Sequence, residues 1–160
     1  VSPQPQDHVI AAAGTVVVAE TGEGKFANAV SIGGRHTLRA DEPATYGGDD
    51  TGATPYELLL AGLGACKVMT MRMYAARKGL PLDRAQVTLR HSKVHAEDCE
   101  SCDQKSAKVD RIDVDITLTG ELDAESRSSI EKIAERCPVH KTLASGLQIE
   151  THYETKDLGS

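Results

Sequence analysis

Up to Ala40 the chain runs in short stretches of alternating apolar and polar residues, and a long, nearly unbroken apolar stretch follows. Thr15–Glu20 is rich in Val and predicts a strand. Thr21-Gly22-Glu23-Gly24 signals a turn, and Lys25–Ile32 alternates small and apolar residues as a second strand. Gly33-Gly34 predicts a two-residue hairpin turn, with Arg35–Ala40 returning as a third strand in an antiparallel meander. Asp41–Ala53, rich in Gly and Asp, reads as a loop, with Gly47-Gly48-Asp49-Asp50-Thr51-Gly52 a mobile segment over the start of the next element. That element is a helix. Thr54 suits its N-cap, Pro55 its first position, Glu57 completes a capping box, and Lys78-Gly79 closes it. Such a helix is about 36 Å long. Between Leu58 and Tyr74 it is apolar almost all round, so it belongs at the centre of the structure.

Beyond it, Ala85–His95 and Arg111–Gly120 predict two strands, the second alternating strictly through Ile112, Val114, Ile116 and Leu118. An acidic, Cys-bearing loop, Ala96–Asp110, joins them. Asp123–Arg136 predicts an amphipathic helix with Ile130, Ile133 and Ala134 on one face. Cys137-Pro138 opens a short helix ended by Gly146, and Leu147–Thr155 predicts a last strand. The order βββ-α-ββ-αα-β defines an α+β fold, with antiparallel sheets around a long central helix. Residues 1–10 read as a flexible arm and 11–160 as a single domain.

Composition sharpens this picture. Only 3% of the 160 residues are aromatic, so the core is aliphatic, and burying it favours a second copy of the chain. A net charge of −6 without a basic patch excludes nucleic acid as a partner. No uncharged apolar run reaches about 18 residues, so no membrane span is expected. Val1–Asp7 has no leader pattern, and four cysteines without one point to the cytoplasm and to functional or metal-bound thiols.

Two cysteines occupy unusual settings. Cys66 lies inside the apolar helix, where a cysteine is ordinarily a small packed hydrophobe. Cys137 precedes Pro138-Val139-His140-Lys141 and faces the free N–H groups of a helix start, which favour the thiolate. One masked and one activated thiol are what two-cysteine redox chemistry requires. Pro55-Tyr56-Glu57-Leu58-Leu59-Leu60-Ala61, Gly64-Ala65-Cys66, Met71-Arg72-Met73-Tyr74-Ala75 and Cys137-Pro138-Val139-His140-Lys141-Thr142-Leu143 together resemble the OsmC/Ohr family of osmotically induced and organic hydroperoxide resistance proteins. The resemblance runs from about Thr15 to Tyr153. It implies an intertwined homodimer and a thiol-dependent peroxidase acting on organic hydroperoxides in oxidative stress defence. Cys66 would then be the attacking thiol and Cys137 the resolving one, with a lipoyl-type dithiol as reductant and no cofactor. Two positions depart from the family's pattern. Tyr56 stands where its peroxidase branches carry Glu, with Glu57 one step later, and the counterpart of its activating Arg is Lys25. Lys lacks the guanidinium's bidentate fork.

Each candidate also has a plainer reading. Glu57 is already accounted for by the capping box, and lies on the opposite side of an ideal helix from Cys66. Lys67 follows Cys66 but points about 100° away around the helix, which leaves Lys25, Arg35 or Arg39 as the cation for Cys66. His140 sits on the same helix face as Cys137 and could favour its thiolate. His91, His95, Cys99 and Cys102 could form a zinc site, though the His spacing is not a standard one, and the other readings are a polar hairpin tip or an auxiliary redox pair. A non-catalytic dimeric stress or ligand-binding protein, with or without that zinc, is the alternative to the enzyme.

Overall fold

The structure is a computed structural model that describes residues 10–95 and 108–156. Its elements are β1 (Val16–Glu20), β2 (Asn28–Ile32), β3 (His36–Ala40), a 3-10 turn (Ala44–Tyr46), α1 (Pro55–Lys78), β4 (Arg84–His95), β5 (Lys108–Thr119), α2 (Ala124–Ala134) and α3 (Pro138–Ser145). β1, β2 and β3 form one antiparallel sheet in that order, and β4 and β5 form a second. The expected α+β architecture with a long central helix is present. The chain folds as two compact units, Val1–Gly62 with Arg90–Asp113, and Leu63–Leu89 with Val114–Ser160.

In the first unit, Val30 of β2 pairs with Val18 and Leu38, and the other buried apolar residues described there are small, Ala11, Ala27 and Ala40. The β2–β3 turn is closed by Arg35 N–H donating to Ile32 O, with Gly33 and Gly34 both at positive φ, where a Cβ is unfavourable. The first pair beyond it is Ile32 with His36. Arg35 therefore belongs to the loop, which is one residue longer than a two-residue turn.

The segment after β3 is not the loose loop its composition suggests. The buried carboxylate of Asp41 accepts from the N–H groups of Glu42, Asp49 and Thr51 and from the Thr51 hydroxyl at 2.7 Å. These bonds hold the Asp41 carboxyl below its ordinary pKa, Thr51 contributing most. At Gly48 a Cβ would overlap the Glu42 backbone, so only glycine lets the loop fold back so closely.

α1 begins and ends where its signals place it. Glu57 N–H donates to the Thr54 hydroxyl at 3.2 Å and the Glu57 carboxylate accepts from Thr54 N–H at 2.8 Å, a complete capping box. By length and composition α1 could cross a membrane, the one such helix among the described residues. Its burial is confined to one side. Leu63, Lys67, Met71 and Ala75, four residues apart, form a buried stripe, while Met69 and Met73 on the other side are exposed.

In the second unit Met71 and Ala75 pack with Leu82, Leu118, Ile130 and Ala134, flanked by Val68, Tyr74, Val87, Ile116 and Ile133. The Arg72 guanidinium donates to the carbonyls of Leu82 and Asp83, tying α1 to the start of β4. The strand expected at Leu147–Thr155 is absent: residues 147–156 pair with no strand, and Leu147, Ile149 and Tyr153 are exposed. A strand exists only when its backbone groups find a neighbour, and none of the described strands pairs with this segment.

Candidate functional site

Both cysteines belong to the second unit, and the local sequence explains how each is set. α2 stops at Ala134 because Pro138 disfavours helical backbone at the residue before it. Cys137 accordingly adopts an extended conformation (φ −63°, ψ 141°) and becomes the N-cap of α3. Its sulfur accepts from the backbone N–H of His140 at 3.3 Å. Cys66, on α1, is a half-buried free thiol and a hydrogen-bond neighbour of Cys137, which is also free but wholly enclosed.

This reverses one sequence expectation. Cys137 does face a helix-start N–H, and that bond favours its thiolate. Burial outweighs it: removal from water, joined by the hydrogen bond and charge interaction with Cys66, pushes the Cys137 thiol above its ordinary pKa of 9.0. Cys137 is thus the masked, protonated thiol, and Cys66 is the one that meets solvent. The sequence shows the N–H groups ahead of Cys137 but not that the fold encloses it.

The cation of this site is Lys67, which the sequence reading had set aside. Its side chain is 1% exposed, and its Nζ donates to Ala134 O at 2.9 Å and lies 3.0 Å from His140 Nδ1. The Glu135 carboxylate, itself largely exposed, is 3.6 Å away. The Lys67 charge acts on Cys137, favouring its thiolate against the burial. The angle from Cys66 misled because the relevant sulfur is Cys137, carried to Lys67 by the α2–α3 joint. A signal was available: Lys67 falls on the same fourfold spacing as Leu63, Met71 and Ala75, and a lysine on a core stripe needs polar partners.

His140 joins the site through Lys67: an ammonium can only donate, so toward Lys67 in that form Nδ1 of His140 accepts, while Nε2 lies 3.7 Å from Glu135.

Glu57 and Lys25 belong to the first unit, each with partners there. Glu57 serves the capping box. Lys25 lies in the turn before β2, its Nζ 5.2 Å from the centre of the Phe26 ring, beside a cavity of about 210 Å³ lined also by Glu20, Asn28, Asp41 and Glu42. Arg39 pairs with Glu23 at 2.8 Å. Tyr56 stacks on His91 with ring centres 4.0 Å apart. His91 Nε2 is 2.8 Å from Asp110, whose carboxyl is held below its ordinary pKa, first by that hydrogen bond and then by Lys93. Of the residues considered for zinc, Cys99 and Cys102 lie outside the described residues; among those described, no group of three or more metal-ligating side chains forms.

A family model described as OsmC-like protein matches residues 47–152. No curated protein matches. Among solved structures, the fold is similar to the organic hydroperoxide resistance protein OsmC of Legionella pneumophila (TM-score 0.56, 20% identity, 79% of this chain and 87% of that one). It is similar also to the organic hydroperoxide resistance protein OhrB of Bacillus subtilis (TM-score 0.54, 21% identity, 79% and 87%). The OsmC-like protein of Mycoplasma pneumoniae matches with a TM-score of 0.59 at 20% identity, over 81% and 84% of the two chains.

Proposed function

The chain belongs to the OsmC-like family, and from that premise we propose that it is a thiol-dependent peroxidase that reduces organic hydroperoxides in oxidative stress defence. The observation that carries this reading is the pairing of two unequal thiols: half-buried Cys66 beside enclosed, protonated Cys137. The Cys66 thiolate attacks the terminal oxygen of the hydroperoxide. The O–O bond breaks, the alcohol leaves with a proton, and Cys66 becomes a sulfenic acid. Cys137 then attacks the Cys66 sulfur. The S–S bond forms, the S–O bond breaks, and the thiol proton leaves with the hydroxide as water. A lipoyl-type dithiol returns both cysteines to thiols and is itself oxidised to a disulfide. Lys25 and Glu57 enter as counterparts of the family's activating cation and acid.

The apolar residues around both cysteines suit an alkyl chain, each buried methylene contributing about 0.8 kcal/mol. Hydrogen peroxide gains nothing from such a wall. A second copy of the chain is the proposed partner. It would cover the exposed Met69 and Met73 face of α1 and supply the missing strand neighbour to Leu147–Thr155. Free thiols suit the reducing cytoplasm, the proposed location.

The test is consumption of cumene hydroperoxide and of hydrogen peroxide by the purified protein with dihydrolipoamide. Turnover is expected with the organic peroxide and its loss in Cys66→Ser. Cys137→Ser should stop after one oxidation, with a trappable sulfenic acid on Cys66. Equal consumption by wild type and Cys66→Ser would overturn the reading, and a wild type inert to both peroxides would leave a non-catalytic dimeric binding protein.

A further inference from the structure

Lys67 is an expensive residue to enclose. A buried ammonium must exchange its water for fixed acceptors, and a methionine would fill the same space without that cost. Its partners indicate its use. One is the carbonyl of Ala134, the last residue of α2, and the other is Nδ1 of His140 in the first turn of α3. The two bonds span sequence separations of 67 and 73 residues and grip the joint on both sides of Cys137. Lys67 itself is the residue next to Cys66 on α1. One side chain thereby fixes the backbone that carries one thiol against the helix that carries the other.

We propose that Lys67 is the positioning residue of the two-thiol site: it holds the α2–α3 joint so that Cys137 faces Cys66, and supplies the positive charge that Cys137 meets as it gives up its proton. The proposal deepens the peroxidase reading and rests on it for the order of the two thiols. The titratable and charged groups facing the joint are Cys66 and Lys67 from α1, Glu135 from the end of α2 and His140 from α3. Of these Lys67 is the one enclosed cation. Glu135 is exposed and pairs with Lys67, so its charge is shared with water.

The first measurement uses the unaltered protein. Nitrogen chemical shifts of the His140 ring at neutral pH should show Nε2 carrying the proton and Nδ1 bare, as a neighbouring ammonium donor demands. A proton on Nδ1 would mean that Lys67 does not hold α3, and would end the proposal without any variant. The second measurement titrates the Cys137 thiolate by its ultraviolet absorbance, which needs no reagent to reach the enclosed sulfur, in a background with Cys66, Cys99 and Cys102 replaced by Ser. Lys67→Met should move the profile to higher pH and lower the thiolate fraction at pH 8 by about tenfold, the factor that one pKa unit represents. Lys67→Gln, which keeps a donor but no charge, should shift it in the same direction and guards against a folding failure of the methionine variant. Lys67→Arg should stay near wild type. In the protein with both cysteines, Lys67→Met should also lengthen the lifetime of the Cys66 sulfenic acid after one equivalent of hydroperoxide. A profile and a lifetime unchanged in both neutral variants would overturn the proposal. Neither the ring shifts nor the thiolate titration needs peroxide turnover. An inactive wild type with a shifted variant profile would therefore refute the peroxidase reading and leave the role of Lys67 standing.

Discussion

The two compact units each enclose one charged side chain, and they use it in different ways. In the first, the Asp41 carboxylate collects its donors within ten residues of itself, so it shapes one loop. In the second, the Lys67 ammonium reaches acceptors some seventy residues away (separations of 67 and 73) and so fixes two helices to a third. The surroundings differ too. The buried apolar residues of the first unit are Val30 and the small Ala11, Ala27 and Ala40, whereas the second has a cluster of Met71, Ile130, Leu82 and Leu118. A local anchor can be lost with local consequences. A long-range one sits within the packing that keeps its unit folded.

The sharpest way to break this contrast is to truncate the apolar cores. Ile130, fully buried, should cost about 2–5 kcal/mol on replacement by Ala, read from chemical denaturation, because the helix and strands around it cannot close the cavity. Val30→Ala in the first unit removes two methyl groups and should cost about 1.6 kcal/mol, at about 0.8 kcal/mol each. If Val30→Ala proved the costlier, the first unit would have the more demanding core and the comparison would fail. Thr54→Ala removes half of the α1 capping box and should cost about 1 kcal/mol.

Titration separates the units by direction. The Asp41 pKa is lowered on folding, so its stabilising effect is present above the unfolded value near 3.8 and is lost as pH falls below it. Asp41→Asn should lower stability at neutral pH and flatten the acid limb of the stability curve. The Cys137 pKa is raised, so stability is whole below the unfolded value near 9.0 and declines as pH climbs through the folded one. Cys137→Ala should remove part of that alkaline decline, and thermal melts in a pH series would show both limbs.

How much of this could be read from the sequence depended on how local each cause was. Both ends of α1 were legible to the residue, because Thr54, Pro55, Glu57 and Gly79 act within one helical turn. The meander, α2 and α3 were legible for the same reason, from turn residues, an apolar face at helical spacing and a proline. The adjacency of Cys66 and Cys137 was legible only through resemblance to a family, since no local pattern joins residues on separate helices. Three features depended on distant contacts and were misread. Leu147–Thr155 has strand composition but no strand beside it. The Asp41–Ala53 loop looks loose until one carboxylate is seen to gather it. Cys137 looks activated until its burial is weighed against a single N–H.

The unequal enclosure of the two sulfurs has a consequence for the return half of the proposed cycle. In a Cys66–Cys137 disulfide, an incoming thiolate can touch only the Cys66 sulfur, because Cys137 admits no solvent. Every mixed disulfide would therefore form on Cys66, with Cys137 as the leaving group. A thiol whose pKa is raised leaves slowly, so reduction has an inherent brake that oxidation lacks. Such an asymmetry gives the pair a memory: brief contact with oxidant sets it quickly, and clearing it waits on a reductant slim enough to reach one face of one sulfur.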